Sequence, residues 1–133
     1  MKLNEIKEIL AAEVVCGDEM LDREVTSAFA SDMMSDVLAF AKADSVLLTG
    51  LVNPQTIRTA LMLDMHGVVF VRAKRLTEEV ISLAKESGIA VLSTDYRMFE
   101  TCGKLLDEAE LQVKKIAVAA DGSPVEEDFA QED

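Results

Sequence analysis

The sequence predicts a single α/β domain with a largely parallel sheet of about five strands flanked by helices. Three short apolar segments begin 22 residues apart, at Val46, Val68 and Ala90, and a helical pattern follows each of them. Continuous apolar strands that alternate with amphipathic helices are typical of parallel sheets covered by helices. Half of the 133 residues are hydrophobic, which is enough for one buried core.

The helices between these strands have recognisable ends. Asn53 and Thr77 are residue types that cap helix N-termini, and Pro54 suits the first position of a helix. Gly67 and Gly88 stand where the first two helices are expected to stop. On these signals, helices are predicted over residues 54–65, 78–87 and 95–106.

The first 45 residues have a different pattern. Leu3 and Ile6 begin a series of apolar residues at helical spacing, and a short apolar segment follows it. Ser31 or Asp32 is expected to cap a later helix. The prediction for this region is a helix over residues 3–10, strands over 12–16 and 24–29, and a helix that ends near residue 41.

The charge is unevenly distributed. The chain has 13 basic and 25 acidic residues, for a net charge of −12. Six of the acidic residues and none of the basic ones lie in residues 117–133, so residues 1–116 have a net charge of 13 − 19 = −6. We therefore predict a domain over residues 1–116 and a disordered acidic tail over residues 117–133. Non-specific nucleic-acid binding is not expected, because it depends on an excess of Lys and Arg.

Cysteine and histidine are too sparse for the common catalytic and metal sites. Cys16, Cys102 and the single His66 have no second ligand at zinc-site spacing, and no base is evident for a serine or cysteine triad. No metal, cofactor or enzymatic activity is therefore predicted. The start of the chain lacks a secretory pattern, and no apolar run approaches the roughly 20 residues that span a bilayer. These features predict a soluble cytoplasmic protein that does not interact with membranes.

A candidate ligand site lies at the carboxyl ends of the predicted strands, where parallel sheets bind ligands and helix N-termini favour anions. Three of the 13 basic residues fall just after the second of the regularly spaced strands. Their charge favours a small phosphorylated ligand, although the same residues could form a solvated loop that pairs with Glu78 and Glu79. Asp32 and Asp36, one helical turn apart, are expected to have surface or capping roles. The candidate ligand-binding residues are Thr49, Gly50, Arg72, Lys74, Arg75 and Thr94.

Self-association is a separate prediction. Met33 and Met34 are adjacent on a predicted helix, so they cannot both point into the core. An exposed methionine beside other apolar residues favours an interaction surface. We therefore predict a homodimer.

The order of residues from 44 to 106 resembles the DRTGG domain family. Three stretches carry the resemblance: Ser45–Gly50, Ile57–Leu61 and Val80–Thr94, and the helix that contains Thr101 is similar to the end of that domain. Residues 16–32 are similar to the entry into the domain and to the amino-terminal domain of HPr kinase. The chain departs from the family signature in two places. It has Leu51-Val52 where the family has Asp-Arg, and Arg72-Ala73-Lys74 where the family has Thr-Gly-Gly.

The resemblance implies a non-catalytic regulatory module of a kind that is attached to CBS-domain pyrophosphatases, phosphotransacetylases and similar enzymes and often forms dimers. With the composition and the strand-end residues, it predicts a stand-alone regulatory or ligand-sensing domain that binds a nucleotide or another phosphorylated small molecule. Two alternatives remain open. One is an interaction module that docks to a metabolic enzyme, and the other is a small phosphate-handling enzyme.

Overall fold

The computed structural model describes residues 1–72, 75–108, 113–118 and 124–129, and the side chains of residues 1–72 and 75–107. The helices are α1 (Leu3–Ile9), α2 (Met34–Phe40), α3 (Pro54–Met62), α4 (Glu78–Ser87) and α5 (Met98–Glu108), with a 3₁₀ turn over Asp18–Met20. The strands are β1 (Glu13–Cys16), β2 (Ser27–Ala30), β3 (Ser45–Thr49), β4 (Gly67–Phe70), β5 (Ala90–Ser93), β6 (Val113–Val118) and β7 (Pro124–Phe129).

Five strands form one sheet in the order β1-β5-β4-β3-β2. Strands β2 to β5 are parallel to one another, and β1 pairs antiparallel with β5 at the edge. Every residue of β3 and β4 is buried, as expected for strands covered on both faces. The predicted α/β domain with a largely parallel five-stranded sheet is therefore confirmed.

Helices cover the sheet on both faces, and alternate strand residues face each layer. Helices α2, α3 and α4 pack on one side, which we call the three-helix face, against residues such as Leu47 and Val91. Helices α1 and α5 pack on the other side, the two-helix face, against residues such as Val46 and Leu92. The three-helix face is built from consecutive strand-helix-strand units, whereas the two-helix face joins helices from opposite ends of the domain.

The predicted ends of α4 are confirmed and those of α3 only in part. The Thr77 side chain accepts a hydrogen bond from the backbone N–H of Val80, and Gly88 ends α4 in the left-handed conformation. Asn53 caps α3 as predicted, but α3 ends at Met62 rather than at residue 65. Gly67 does not terminate a helix, because it is the first residue of β4. A Cβ at this position would lie 3.3 Å from the side chain of Leu3, so the glycine allows α1 to pack closely on the strand.

The predicted cap of α2 is wrong. The N-cap residue is Met33, and its side chain makes no capping hydrogen bond. The Ser31 hydroxyl accepts a hydrogen bond from the N–H of Met33 at 3.0 Å, and the Asp32 carboxylate is directed to a neighbouring strand end instead. Met33 is 59% exposed whereas Met34 packs against the three-helix face, so the two methionines point in different directions as expected.

Residues 113–118 and 124–129 form a separate antiparallel pair, β6 and β7. Strand β7 lies within the segment 117–133 that the sequence assigns to an acidic tail. The backbone register pairs Lys114 with Asp128 and Lys115 with Glu127. Residues 119–123 and 130–133 lie outside the described residues, and the division into a domain and a tail stays a prediction.

Candidate functional site

The carboxyl ends of the four parallel strands lie at one edge of the sheet, which we call the carboxyl edge. The chain leaves β2 at Ser31, β3 at Gly50, β4 at Val71 and β5 at Thr94. The loops that follow are close together in space because their strands are neighbours. All the predicted site residues within the described part of the chain belong to these loops or to the last residues of the strands.

The Asp32 carboxylate joins two of the strand ends. Its Oδ1 accepts a hydrogen bond from the Thr49 hydroxyl at 2.9 Å and another from the backbone N–H of Gly50 at 2.7 Å. The Thr49 hydroxyl in turn accepts from the N–H of Leu51 at 3.1 Å. A carboxylate that accepts a hydroxyl and an amide in this way makes the contacts that a ligand phosphate oxygen would make. Thr49 and Gly50 thus already have an anionic partner within the fold.

Arg72 lies over the same strand end. A Cβ added to Gly50 would be 3.1 Å from Cζ of Arg72 and closer still to its terminal nitrogen, so the guanidinium occupies the space beside the glycine. The backbone N–H of Arg72 donates to the carbonyl of Tyr96 at 2.7 Å, which links the ends of β4 and β5. Arg72 has a φ of 67°, a strained conformation for a residue with a long side chain.

The side chain of Thr94 is buried, and its hydroxyl makes hydrogen bonds within the fold. It is 1% exposed, and its hydroxyl donates to the carbonyl of Leu10 at 2.7 Å and accepts from the N–H of Tyr96 at 3.3 Å. The carbonyl of Leu10, at the C-terminus of α1, is thereby satisfied in the interior. The hydroxyl of Thr94 therefore ties the two-helix face to β5.

The exposed charges at the carboxyl edge are mixed. Arg72 and Arg75 are exposed, as are Glu78, Glu79 and Asp95, and Lys74 lies outside the described residues. Within the part of the chain whose side chains are described, no ion pair joins Arg72 or Arg75 to an acidic residue. Arg72 and Arg75 thus each add an exposed cationic side chain to this edge.

The fold brings Thr49, Gly50 and Arg72 together, as the sequence predicts. The Thr94 hydroxyl donates within the core, and the assignment of Thr94 to a ligand site stays a prediction. The sequence predicts a surface or capping role for Asp32, whereas its carboxylate joins two strand ends in the structure. A usable signal was present, because Asp32 follows β2 by two residues and all parallel strands end at the same edge.

A cleft of about 400 Å³ lies at the opposite edge, between the turn after β1 and the C-terminus of α4. Asp18, Glu19 and Lys85 contribute charged side chains to its lining. The carbonyl end of α4 and the two carboxylates make this cleft unfavourable for a phosphorylated ligand. Electrostatics therefore favours the carboxyl edge over this cleft for an anion.

Neither cysteine is suited to nucleophilic chemistry. Burial raises the pKa of the Cys16 thiol and of the Cys102 thiol above their ordinary values, so both stay protonated near neutral pH. The residues with described positions contain no group of three or more His, Cys, Asp or Glu side chains that could hold a metal ion. None of the helices in the described ranges is both long and apolar enough to cross a bilayer.

Comparison with solved structures gives the same fold. The chain matches the crystal structure of the CBS and DRTGG domains of the regulatory region of Clostridium perfringens pyrophosphatase, complexed with its activator diadenosine tetraphosphate. The TM-score is 0.66 at 18% sequence identity, and the match covers 79% of this chain and 46% of that one. This chain therefore spans about half the length of that regulatory region. No curated protein matches it.

The sequence pattern of the DRTGG domain covers residues 5–108, from α1 through the last residue of α5. The matched range contains the whole five-stranded sheet and all the residues described at its carboxyl edge. The fold and the pattern thus agree over the same residues, and this chain belongs to the DRTGG domain family.

Proposed function

We propose that this protein is a non-catalytic regulatory domain that binds a nucleotide or another phosphorylated small molecule at the carboxyl edge. The observation that carries the proposal is Arg72, whose exposed guanidinium lies beside Gly50 at the end of a buried parallel strand. A strained residue that presents a cation at a strand end is typical of ligand-contacting positions. Arg75 adds a second exposed cation three residues later.

The kind of ligand follows from the chemistry of this edge. Arginine pairs with phosphate oxygens through parallel N–H donors, and the carboxyl edge of a parallel sheet is where such ligands bind. The similar regulatory region of the pyrophosphatase was crystallised with diadenosine tetraphosphate, which makes dinucleoside polyphosphates natural first candidates. Thr49 and Gly50 contact the ligand only if its phosphate replaces the Asp32 carboxylate, so we assign the first contact to Arg72 and Arg75, with Lys74 between them.

The test is calorimetric titration of the full chain with diadenosine tetraphosphate, AMP, ATP and inorganic phosphate. Saturable binding by the wild type is expected, with at least about a tenfold loss in the Arg72→Gln variant. The triple variant Arg72→Ala, Lys74→Ala, Arg75→Ala should lose binding. Arg23→Gln is the matched control, because Arg23 is also an exposed arginine but precedes β2 at the other edge of the sheet.

Two results would contradict the proposal. One is the absence of binding to any of the four ligands by the wild-type protein. The other is binding that falls equally in the Arg72→Gln and Arg23→Gln variants, because this would indicate a general charge effect rather than a site at the carboxyl edge.

An interaction module that docks to a metabolic enzyme is the second candidate. It is favoured by the large hydrophobic residues that the domain exposes, with Phe99 at 89% and Met62 at 69%. The DRTGG domain of the similar structure belongs to the regulatory region of an enzyme. Capture of one enzyme on immobilised protein, without a response to any nucleotide, would favour this candidate.

Turnover of ATP or acetyl phosphate that is lost in the Arg72→Gln variant would instead identify a small phosphate-handling enzyme. The predicted cytoplasmic location and homodimer also stay proposals.

A further inference from the structure

Phe99 is an exposed aromatic residue in the first turn of α5. Its side chain is 89% exposed, more than that of any other large hydrophobic residue in the described part of the chain. Thr101 and Leu105 form the buried side of α5, and Phe99 lies on a different side of this helix. A single exposed apolar residue is common on protein surfaces, so the use of this ring depends on where it lies.

The segment that leads into α5 crosses the end of β4. The chain leaves β5 at the carboxyl edge, and the carbonyl of Tyr96 then accepts a hydrogen bond from the backbone N–H of Arg72 at 2.7 Å. Phe99 follows Tyr96 by three residues, so the two Cα atoms are at most about 11 Å apart. The first turn of α5 therefore lies at the carboxyl edge, in the neighbourhood of Arg72.

The packing of α5 places this first turn beside the end of β3. Helix α5 contacts β3, and its first residue, Met98, packs against the core of the two-helix face, which includes Leu48. Leu48 precedes by two residues Gly50, the residue beside which the Arg72 guanidinium lies. Since α5 starts at the carboxyl edge and packs on β3, Phe99 and this guanidinium lie at the same end of that strand.

Tyr96 is the other aromatic residue of this segment, and its ring already has contacts within the fold. The ring packs against the core of the two-helix face, and Nζ of Lys104 lies 4.9 Å from its centroid. A ligand would have to displace this favourable contact between a cation and an aromatic face. The ring of Phe99 is almost fully exposed and is therefore the better surface for a flat ligand group.

Cations beside an exposed aromatic ring suit a nucleotide. Arg72 and Arg75 can pair with phosphate oxygens, and Arg97, two residues before Phe99, adds a third exposed cation. Nucleobases stack on aromatic side chains, and every base has a face for this contact. Inorganic phosphate, acyl phosphates and sugar phosphates have the anionic group but no ring that could stack on Phe99.

We propose that the ligand of the carboxyl edge is a nucleoside phosphate, with its base stacked on the ring of Phe99 and its phosphates bound by Arg72 and Arg75. The inference rests on the proposed function and narrows it from phosphorylated small molecules to nucleotides. Phe99 is then the residue that distinguishes a nucleotide from other phosphorylated compounds. The arginines bind the phosphate groups that all these compounds share.

Calorimetric titration of the full chain with ATP and with inorganic triphosphate separates the two contributions. Phe99→Leu keeps an apolar side chain but removes the flat ring. This variant should bind ATP at least about fivefold more weakly than the wild type, whereas its affinity for inorganic triphosphate should stay within about twofold. Phe99→Tyr keeps an aromatic ring and should retain ATP affinity within about threefold of the wild type.

Leu106→Ala is the matched control on the same helix. Leu106 is 50% exposed and lies seven residues after Phe99, about 10 Å farther from the start of α5. This variant should bind ATP within about twofold of the wild type. Thermal melting should confirm that each variant is folded, as expected for changes at exposed positions.

The outcomes separate this proposal from the proposed function. ATP affinity that falls in Arg72→Gln but not in Phe99→Leu would refute the stacked base and leave the phosphate site intact. Equal losses for ATP and inorganic triphosphate in Phe99→Leu would also refute it, because the ring would then not be acting on the base. The absence of ATP binding by the wild type would contradict both proposals.

Stacking of the base on the ring can also be detected directly by NMR. An aromatic ring moves the proton resonances of a base stacked on it upfield. The adenine H2 and H8 resonances of ATP should therefore move upfield on binding to the wild type and to Phe99→Tyr, and by much less with Phe99→Leu. Adenine resonances that shift equally with the wild type and Phe99→Leu would refute the contact, whatever the effect of Arg72→Gln.

Discussion

The guanidinium group of Arg72 lies beside Gly50, in the space that the Cβ of any larger residue at position 50 would fill. The contact joins the ends of two neighbouring buried strands, β3 and β4. It places a positive charge next to two hydrogen-bond donors, the hydroxyl of Thr49 and the N–H of Gly50, that Asp32 already holds.

Replacing Gly50 with Ala should weaken ligand binding while leaving the stability of the fold nearly unchanged. The new Cβ displaces only the flexible end of Arg72, so the free energy of unfolding should change by less than about 1 kcal/mol. Binding of a phosphorylated ligand should weaken several-fold because Arg72 is moved. Denaturant unfolding and calorimetric titration measure the two effects.

The control for this prediction is Gly17→Ala. A Cβ on Gly17 would lie 2.5 Å from the backbone Cα of Ala90, and its φ of 88° is unfavourable for alanine. This variant should be destabilised by about 2 kcal/mol or more, since neither backbone segment can move cheaply. Equal stabilities of the two alanine variants would contradict our account of both glycines.

Replacing Asp32 with Ala should lower the free energy of unfolding by about 1–2 kcal/mol, because the buried hydroxyl of Thr49 and the N–H of Gly50 lose their shared acceptor. Asp32→Asn keeps a carbonyl oxygen and should restore part of the loss. If a ligand phosphate competes with Asp32 for these donors, phosphate or nucleotide should stabilise the Asp32→Ala variant more than the wild type in thermal melts. An equal shift in both proteins would exclude such competition.

Replacing Thr94 with Val should destabilise the fold without altering the ligand site. The valine keeps the shape of threonine but leaves the buried carbonyl of Leu10 without its donor, at a cost of about 1–2 kcal/mol. Affinity for a phosphorylated ligand, measured below the melting temperature, should stay within about twofold of the wild type. A large loss of affinity with unchanged stability would instead support the sequence-based assignment of Thr94 to the ligand site.

Alkylation of the two cysteines should be slow at neutral pH and should accelerate at alkaline pH. Burial raises the pKa of both thiols above the ordinary value of about 8.5. The folded state therefore favours the protonated thiol. The contribution of each protonated thiol to the stability of the fold is present at lower pH and is lost as the pH rises through the raised pKa. Iodoacetamide labelling followed by mass spectrometry should show both cysteines reacting more slowly than a free thiol at pH 8. Labelling of the two cysteines at the rate of a free thiol would contradict the burial of their side chains.

The parts of the fold that depend on local signals can be predicted from the sequence. The bounds of α4 are as predicted because Thr77 and Gly88 act within a few residues of chain. The cap of α2 could not be predicted in the same way. Asp32 has a stronger use as an acceptor for Thr49 and Gly50, and these residues come near it only when β2 and β3 pair.

The sequence predicts where the candidate site lies, but it does not predict which of its residues are in contact. Periodicity identified the strand ends that carry Gly50 and Arg72, and the parallel sheet implied that they meet. Their direct contact depends on the left-handed backbone of Arg72, which no residue type signals, and on its N–H bond to Tyr96. The antiparallel direction of β1 could not be predicted from the sequence either, because a short apolar segment does not specify its orientation.

The two layers of helices differ in the sequence separation between the segments that must meet to form them. The three-helix face comprises consecutive units between residues 34 and 91, whereas the two-helix face needs α1 to meet α5 across most of the domain. Contacts between distant segments carry a larger loop-closure entropy, so we expect the three-helix face to form first during folding.

Ile57→Val on α3 and Ile6→Val on α1 are a matched pair, since both side chains are fully buried. Each substitution should cost about 1 kcal/mol. In stopped-flow experiments the change at Ile57 should mainly slow folding and the change at Ile6 should mainly speed unfolding, and the reverse result would contradict this order. The lifetime of the folded state then depends chiefly on the two-helix face, so substitutions that strengthen the packing of α1 against α5 are the ones that would prolong it.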